Sequence, residues 1–245
     1  MPIKKVLLSK DGDIFYVPDD SKDYHMQYGT VKKEEFANTI THSNAKQKTL
    51  YIIDAGFIDN YRRLKRLAQI MHPKELGIIM GETGLGPDST IIEAGSGSGA
   101  ASCFFARYVK QVISYDINRE HQAVAKENAV NIGLNNITFK EGDIAKEIEE
   151  KDADLLLLDI PEPWTAIGTA ASCLKNGGFF VTYSPTILQV HQAVTETDAR
   201  QDFIYLKTVE IIEREWHIQG KSVRPKMQNI THTGFLSFFR KVTPE

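Results

Sequence analysis

The sequence predicts an α/β protein in which a mostly parallel sheet is covered by helices, with a small β domain ahead of it. Three observations predict this. From about residue 89 onward, strand-like apolar runs alternate with helical stretches across short connections. The run Leu155-Leu156-Leu157-Leu158 is apolar throughout, as a strand buried on both faces requires. Residues 1–55 instead hold short runs broken by turn residues, too little chain for a sizeable core.

In the first part, Lys5–Leu8 and Asp13–Val17 flank Lys10-Asp11-Gly12, whose Asp-Gly pair suits a hairpin turn. Tyr28–Val31 and Leu50–Ile53 read as further short strands. In the second part, Ser89–Ala94 is a buried strand followed by a helix over Gly99–Tyr108. Gln111–Asp116 is the next strand, and an amphipathic helix over Arg119–Ile132 stops at Gly133. Ile137–Lys140 and Ala153–Asp159 are strands, Thr165–Leu174 is helical, and Gly177-Gly178 turns into a strand at Phe179–Tyr183. The last two strands, Phe203–Ile212 and Gly234–Val242, have no helix-length segment between them and are expected to be antiparallel neighbours. The expected domains are a small β domain over 1–58, a linker with a helical lead-in over 59–88, and the main α/β domain over 89–245.

At 245 residues, 42% hydrophobic and 25% charged, the composition is globular. No apolar run approaches the roughly 20 residues that span a bilayer, and three apolar residues after Lys4-Lys5 are too few for a secretory core. Cys103 and Cys173 make no disulfide framework and no zinc spacing, so a reduced cytoplasmic protein without a metal is expected. Asn229-Ile230-Thr231 matches a glycosylation acceptor, which has no meaning in that compartment. The net charge of −3 divides unevenly. Residues 1–66 hold 12 Lys and Arg against 9 Asp and Glu, and the remainder 17 against 23. A protein-wide field for gripping nucleic acid is therefore excluded, and any such contact must be a local basic patch.

The chemistry begins at Glu93-Ala94-Gly95-Ser96-Gly97-Ser98-Gly99, at a strand-to-helix junction. Glycines Gly95, Gly97 and Gly99 permit a tight turn and let a ligand lie against bare backbone. The following N–H groups, from Ser98 through Gly99 and Ala100 to Ala101, are expected to be free for it. The spacing G-x-G-x-G differs from the dinucleotide fingerprint G-x-G-x-x-G and argues against a nicotinamide dehydrogenase. Asp116 ends the second strand of the α/β part, where a carboxylate takes ribose hydroxyls in doubly wound folds. Asp143, after the third, can accept from an adenine amino group, and His121 can flank the nucleoside. A helix cap or loop aspartate, and a surface histidine, are the plain alternatives. Asp159 opens Asp159-Ile160-Pro161-Glu162-Pro163-Trp164 at the end of the fourth strand, and the two prolines restrict how far it can swing. Trp164 is either a stacking platform or a core residue.

The glycine loop, the strand-end acid and Gly142-Asp143, in that order, resemble the S-adenosylmethionine-dependent methyltransferases of the Rossmann-like seven-stranded class. That resemblance implies a mostly parallel sheet with an antiparallel last strand and S-adenosyl-L-methionine as cofactor. It also implies that the glycine loop takes the methionine moiety, Asp116 the ribose and Asp143 the adenine. Further stretches narrow it: Ala68-Gln69-Ile70-Met71-His72-Pro73-Lys74-Glu75, the Asp-Ile-Pro-Glu-Pro-Trp run, Arg224-Pro225 with His232-Thr233-Gly234-Phe235-Leu236, and His25-Met26-Gln27-Tyr28-Gly29. With these, nearly the whole chain is similar to the tRNA adenine-N1 methyltransferases. This family modifies adenine 58 of the tRNA T loop, in some archaeal members also adenine 57, and assembles as a homotetramer. The chain departs from it in having His72 where Tyr is common, Glu75 where Asp is usual, and Asp116 where many members carry Glu.

The resemblance implies tRNA as partner, base flipping, and catalytic roles for Asp159 and His72. Neutral adenine has a lone pair on N1 and needs no base, so alignment and negative charge beside the ring suffice. Asp159, also placed at the cofactor, would accept from the N6 amino group, and His72 would position the base. Candidate phosphate contacts are Arg62, Arg63, Lys65 and Arg66 with Lys221, Arg224 and Lys226. The alternative for Tyr61–Arg66 is the solvated face of a linker helix. Two rival readings are a methyltransferase of the same fold acting on a small molecule or protein, and a non-catalytic RNA-binding subunit.

Overall fold

The structure is a computed structural model that describes residues 1–67, 69–146, 148–227 and 232–244. By its contacts the chain divides into two compact units: Met1–Lys65 with Val130–Gly133, and the remaining residues from Arg66 onward.

In the first unit, strands β1 (Lys5–Leu8), β2 (Ile14–Val17), β5 (Ile40–His42) and β6 (Thr49–Asp54) form an antiparallel sheet in the order β2-β1-β6-β5. The Asp11-Gly12 turn joins β1 to β2, with Gly12 at φ +90°, a conformation open mainly to glycine. Between β2 and β5, β3 (Tyr24–Met26) and β4 (Gly29–Val31) make a separate two-stranded hairpin, so the His25–Gly29 stretch holds its turn, Gln27-Tyr28, between the paired Met26 and Gly29. Leu7, Val17, Val31, Phe36, Leu50 and Ile52 form a small core. α1 is only Phe57–Tyr61, and Arg62–Arg66 continue as turn and coil; the linker helix considered for Tyr61–Arg66 does not form.

The second unit opens with α2 (Pro73–Thr83), which has Pro73 at its first position and Gly84, at φ +65°, as its stop. The strands are β7 (Thr90–Ala94), β8 (Gln111–Asp116), β9 (Ile137–Glu141), β10 (Ala153–Leu158), β11 (Leu174–Ser184) and β12 (Phe203–Glu210). After the hairpin strands β13 (Trp216–Gln219) and β14 (Ser222–Pro225), β15 (Phe235–Lys241) completes a seven-stranded sheet in the order β12-β15-β11-β10-β7-β8-β9. The β7–β11 pairings are parallel, and β15 runs antiparallel to both β11 and β12. Leu155 to Leu158 are wholly buried, as their unbroken apolar run predicts.

The helices are α3 (Ala100–Ala106), α4 (Arg119–Asn131), α5 (Ile167–Cys173) and α6 (Ile187–Asp198). α3 is shorter than the expected Gly99–Tyr108, and α6 has no counterpart in the sequence reading. Its start is nevertheless written locally: Thr186 Oγ1 accepts from Gln189 N–H at 3.3 Å, while the Gln189 side chain accepts from Thr186 N–H at 3.2 Å. β11 begins five residues earlier than expected and runs through Gly177-Gly178. The β13–β14 hairpin was also unforeseen. Trp164 packs half-buried against the core beside β10 rather than standing free, and Cys103 and Cys173 are buried. Asn229-Ile230-Thr231 lie outside the described residues. Among the described residues no helix is long and apolar enough to cross a membrane.

Candidate functional site

In the sheet, β7 has β8 on one side and β10 on the other, and the chain order reverses there. Loops leaving the carboxyl ends of strands that diverge in this way part to form a crevice. A cavity of about 650 Å³ occupies it, lined by residues that follow β7, β8, β9 and β10.

Each wall has a local cause. Gly95 has φ +91° and its N–H donates to Tyr115 O at 2.9 Å; a Cβ there would overlap the Asp159 carbonyl. Gly97, at φ +48°, has no such neighbour and lines the cavity with bare backbone. Gly99, at φ +76°, has no room for a side chain because a Cβ would stand 2.9 Å from that of Ala125. Of the predicted loop residues, Gly95 and Gly97 line the cavity. Ser98, Gly99, Ala100 and Ala101 are not among its lining residues; Ser98 Oγ accepts from Leu67 N–H at 2.9 Å, and Ala100 and Ala101 are buried in α3.

Asp116, at the end of β8, is nearly buried. Its Oδ2 accepts from Gly97 N–H at 2.9 Å and its Oδ1 from Asn118 N–H at 2.8 Å, which ties the glycine loop to the next strand. His121 Nδ1 stands 3.5 Å from Asp116 Oδ2. Asp143 also lines the cavity, with one oxygen accepting from Ala145 N–H at 3.0 Å. Asp159 N–H donates to Ala94 O at 2.9 Å, which sets the residue beside Gly95. Its carboxylate has no hydrogen-bonding side chain among the described residues, and burial pushes its pKa up to about 7.

Beneath the loop lies a group that sequence reading missed as chemistry. Glu93 is buried, and its Oε2 accepts from Ser102 Oγ and, at 2.8 Å, from Ser114 Oγ, which in turn lies 2.6 Å from Ser96 Oγ. Burial pushes the Glu93 carboxyl to about 7 against the pull of the two hydroxyls, and Asp159 and Asp116 nearby push the same way. The only trace of this in the sequence is the serine beside each of these loop and strand positions.

These residues suit S-adenosylmethionine on three grounds. The volume is that of a small-molecule site. The loop offers bare backbone at Gly97. Asp116, Asp143, Asp159 and Glu162 line the cavity with His121 and, among the described residues, no lysine or arginine, a field that favours a cation such as a sulfonium.

A family model described as tRNA methyltransferase complex GCD14 subunit matches residues 61–232. The chain belongs to the GCD14 tRNA methyltransferase family. The GCD14-family chain is 31% identical to the tRNA (adenine(57)-N(1)/adenine(58)-N(1))-methyltransferase TrmI of Methanocaldococcus jannaschii, over 98% of this chain and 95% of that one. It is 34% identical to the tRNA (adenine(58)-N(1))-methyltransferase TrmI of Thermus thermophilus, over 73% and 71%. Among solved structures, a SAM-dependent O-methyltransferase of Thermotoga maritima matches with a TM-score of 0.90 at 29% identity, covering 99% of this chain and 94% of that one. The tRNA (m1A58) methyltransferase TrmI of Aquifex aeolicus matches with a TM-score of 0.85 over 98% and 97%, and at 20% identity it shows the shared fold.

The remaining expected residues of this GCD14-family chain lie elsewhere. His72 is the N-cap of α2 and is not a lining residue; its carbonyl accepts from Glu75 and Leu76 N–H at 3.1 and 3.2 Å. Arg62, Arg63, Lys65 and Arg66 are exposed, and Arg63 lies over the Tyr16 ring at 5.6 Å. Lys221 and Arg224 are exposed on the β13–β14 hairpin, while Lys226 pairs with Glu215. Among the described residues no cluster could hold a metal ion.

Proposed function

We propose that this chain methylates N1 of adenine in the tRNA T loop, at position 58 with 57 as a second target, using S-adenosylmethionine. The observation that supports it most is the Asp159 carboxylate at the end of β10 beside Gly95, which has no hydrogen-bonding side chain among the described residues. The names of the relatives above agree with the substrate. When bound, S-adenosylmethionine supplies an electrophilic methyl group on a sulfonium.

The residues around it divide the work. Gly95 and Gly97 leave room for the methionine end, Asp116 has lone pairs left for ribose hydroxyls, and Asp143 and His121, which line the same cavity, take the adenine. Asp159, ionised, accepts from the N6 amino group of the target base and offsets the positive charge that develops as N1 is alkylated. His72, capping α2, positions the flipped base. The exposed Arg62, Arg63 and Arg66 and the hairpin's Lys221 and Arg224 hold tRNA phosphates. Trp216, Ile218 and Val223 are exposed on a two-stranded hairpin, and such a ribbon is marginal alone; this suits burial between copies in a homotetramer.

A second reading, transfer to a ribose or other hydroxyl, draws on the name of the Thermotoga relative and on Asp159 titrating near 7, suitable for a general base. One experiment separates the two: labelled S-adenosylmethionine, unmodified tRNA and nucleoside mapping, for wild type and Asp159→Ala. The expected product is 1-methyladenosine in the T loop, largely lost in the variant. A 2′-O-methyl nucleoside, or no transfer to tRNA, sinks the proposal.

A further inference from the structure

No side chain among the described residues bonds the Asp159 carboxylate, so the backbone on either side sets its direction. On the near side, Asp159 N–H donates to Ala94 O at 2.9 Å. On the far side, Pro161 O accepts from Gln189 Nε2 at 2.9 Å, a bond that crosses from α6 to the loop. Between the two ties the chain has little freedom. Pro161 fixes its own φ and confines Ile160 to extended backbone, and Ile160 packs against the core. Among the described residues, Gln189 is the one side chain from another helix or strand that bonds the backbone of 159–162.

The Gln189 amide can point only one way. Its Oε1 accepts from Thr186 N–H at 3.2 Å and from Thr186 Oγ1 at 2.8 Å, while its Nε2 faces the Pro161 carbonyl. Turned over, it would set N–H groups against the Thr186 N–H and an oxygen against a carbonyl. The start of α6 is itself anchored. His232 donates from Nε2 to Pro185 O at 2.8 Å and from Nδ1 to Glu210 Oε1 at 2.6 Å, which takes a protonated ring. Glu210 first, and then the Pro185 carbonyl, hold its pKa above the ordinary histidine value.

Electrostatics in the cavity work against the loop. Asp159 and Glu162 line the same walls as Asp116 and Asp143, and repulsion among ionised carboxylates drives the loop outward. A lysine in place of Gln189 would pair with those acids. A neutral amide holds the backbone and leaves the Asp159 carboxylate free for a substrate.

We propose that Gln189 is a positioning residue for methyl transfer, holding the Pro161 carbonyl so that the Asp159 carboxylate stays aligned with the target base. The proposal rests on the adenine-N1 reading above. It gives the glutamine two separable roles: its oxygen caps α6, and its N–H aligns Asp159.

Two substitutions in the full chain separate these roles. Gln189→Glu keeps the cap, since glutamate serves at this helix position, but sets a carboxylate oxygen against the Pro161 carbonyl. Gln189→Met removes both. Each is expected to lower kcat by about ten- to a hundredfold, as a misplacement of up to about 1 Å does, with KM for tRNA and Kd for S-adenosylmethionine within about twofold. Tm falls only in Gln189→Met. The second readout is 5-fluorotryptophan at Trp164, in the short turn Pro163–Ala166 that ends the same loop. Its resonance is assigned by Trp216→Phe, which removes the other tryptophan, and is expected to shift or broaden in both variants. Wild-type kcat in Gln189→Glu, an unmoved Trp164 resonance, or equal losses in kcat and cofactor affinity would overturn the proposal. Gln189→Glu decides alone where Gln189→Met does not fold. A wild type that transfers nothing to tRNA sinks the adenine reading instead, and the resonance then decides the tie by itself.

Discussion

A methyl group on Gly95 would overlap the backbone carbonyl of Asp159, so the glycine loop and the strand end bearing the carboxylate meet through bare backbone. The proposed catalytic group is thereby held against the cofactor loop with no side chain between. Gly95→Ala combines that overlap with φ +91° and is expected to weaken S-adenosylmethionine binding at least tenfold, about 1.4 kcal/mol, and to lower Tm. Gly97→Ala meets only the Gly95 carbonyl oxygen, at an ordinary contact distance of 3.9 Å, and carries conformational strain of about 1–2 kcal/mol. Calorimetric titration of both variants checks the order; equal effects would contradict it.

Asp159 makes stability depend on pH in a defined direction. Its carboxyl titrates near 7 when folded against an ordinary value of 3.8. Between these values the folded chain keeps a proton that the unfolded chain has lost, so this contribution to stability declines as pH rises from about 4 to about 7. Asp159→Asn is expected to match wild type near pH 4 and to exceed it by about 1–2 kcal/mol at pH 8, the gain being limited by solvent in the cavity. Methyl transfer moves the other way: it rises through pH 7 in wild type and is nearly lost in the variant. Denaturant unfolding at the two pH values tests the first half, initial rates the second.

Ser114→Ala removes one of the two hydroxyls donated to the buried Glu93 carboxylate. Those donors favour the ionised form, and Glu93 ionises near 7. The variant should therefore lose about 1–3 kcal/mol at pH 8 and clearly less at pH 5. An equal loss at both values would mean that packing, not hydrogen bonding to the charge, is what Ser114 supplies.

Asp116→Asn places an amide donor where both carboxylate oxygens now accept backbone N–H groups, from Gly97 and Asn118. The expected outcome is at least about a tenfold loss of cofactor affinity, since hydrogen bonds to charged groups contribute about 1.5–3 kcal/mol. His121→Ala, 3.5 Å away on the cavity wall, should cost less. Titration of the two variants side by side decides whether the ribose contact lies with the carboxylate.

Much of this architecture is written locally. Gln111–Asp116 is the observed strand to the residue, Gly133 stops α4 at φ +73°, and the Leu155–Leu158 run is buried as its composition demands. β7 and the G-x-G-x-G turn were legible because strand burial and positive φ are properties of a few consecutive residues. α6 was missed although Thr186 and Gln189 cap it, because its apolar face, with Val190 and Ala193 buried, is short and mixed with polar residues. The β13–β14 hairpin was missed for a different reason: its exposed Trp216, Ile218 and Val223 give no alternation between core and solvent.

The α/β class, the glycine turn and the acids that end the strands are legible in the chain's local order, because dihedral preference and apolar periodicity act over short range. What those acids can do depends on which strands lie beside them. An aspartate at position 159 has no local mark of desolvation; its raised pKa exists because β10 lies beside β7 and brings the carboxyl against the glycine loop. Glu75 and Thr233 are likewise 158 residues apart and become one hydrogen-bonded cluster only when α2 meets the segment before β15. Burial and proximity between distant residues are set by strand order, and strand order is a property of the whole sheet.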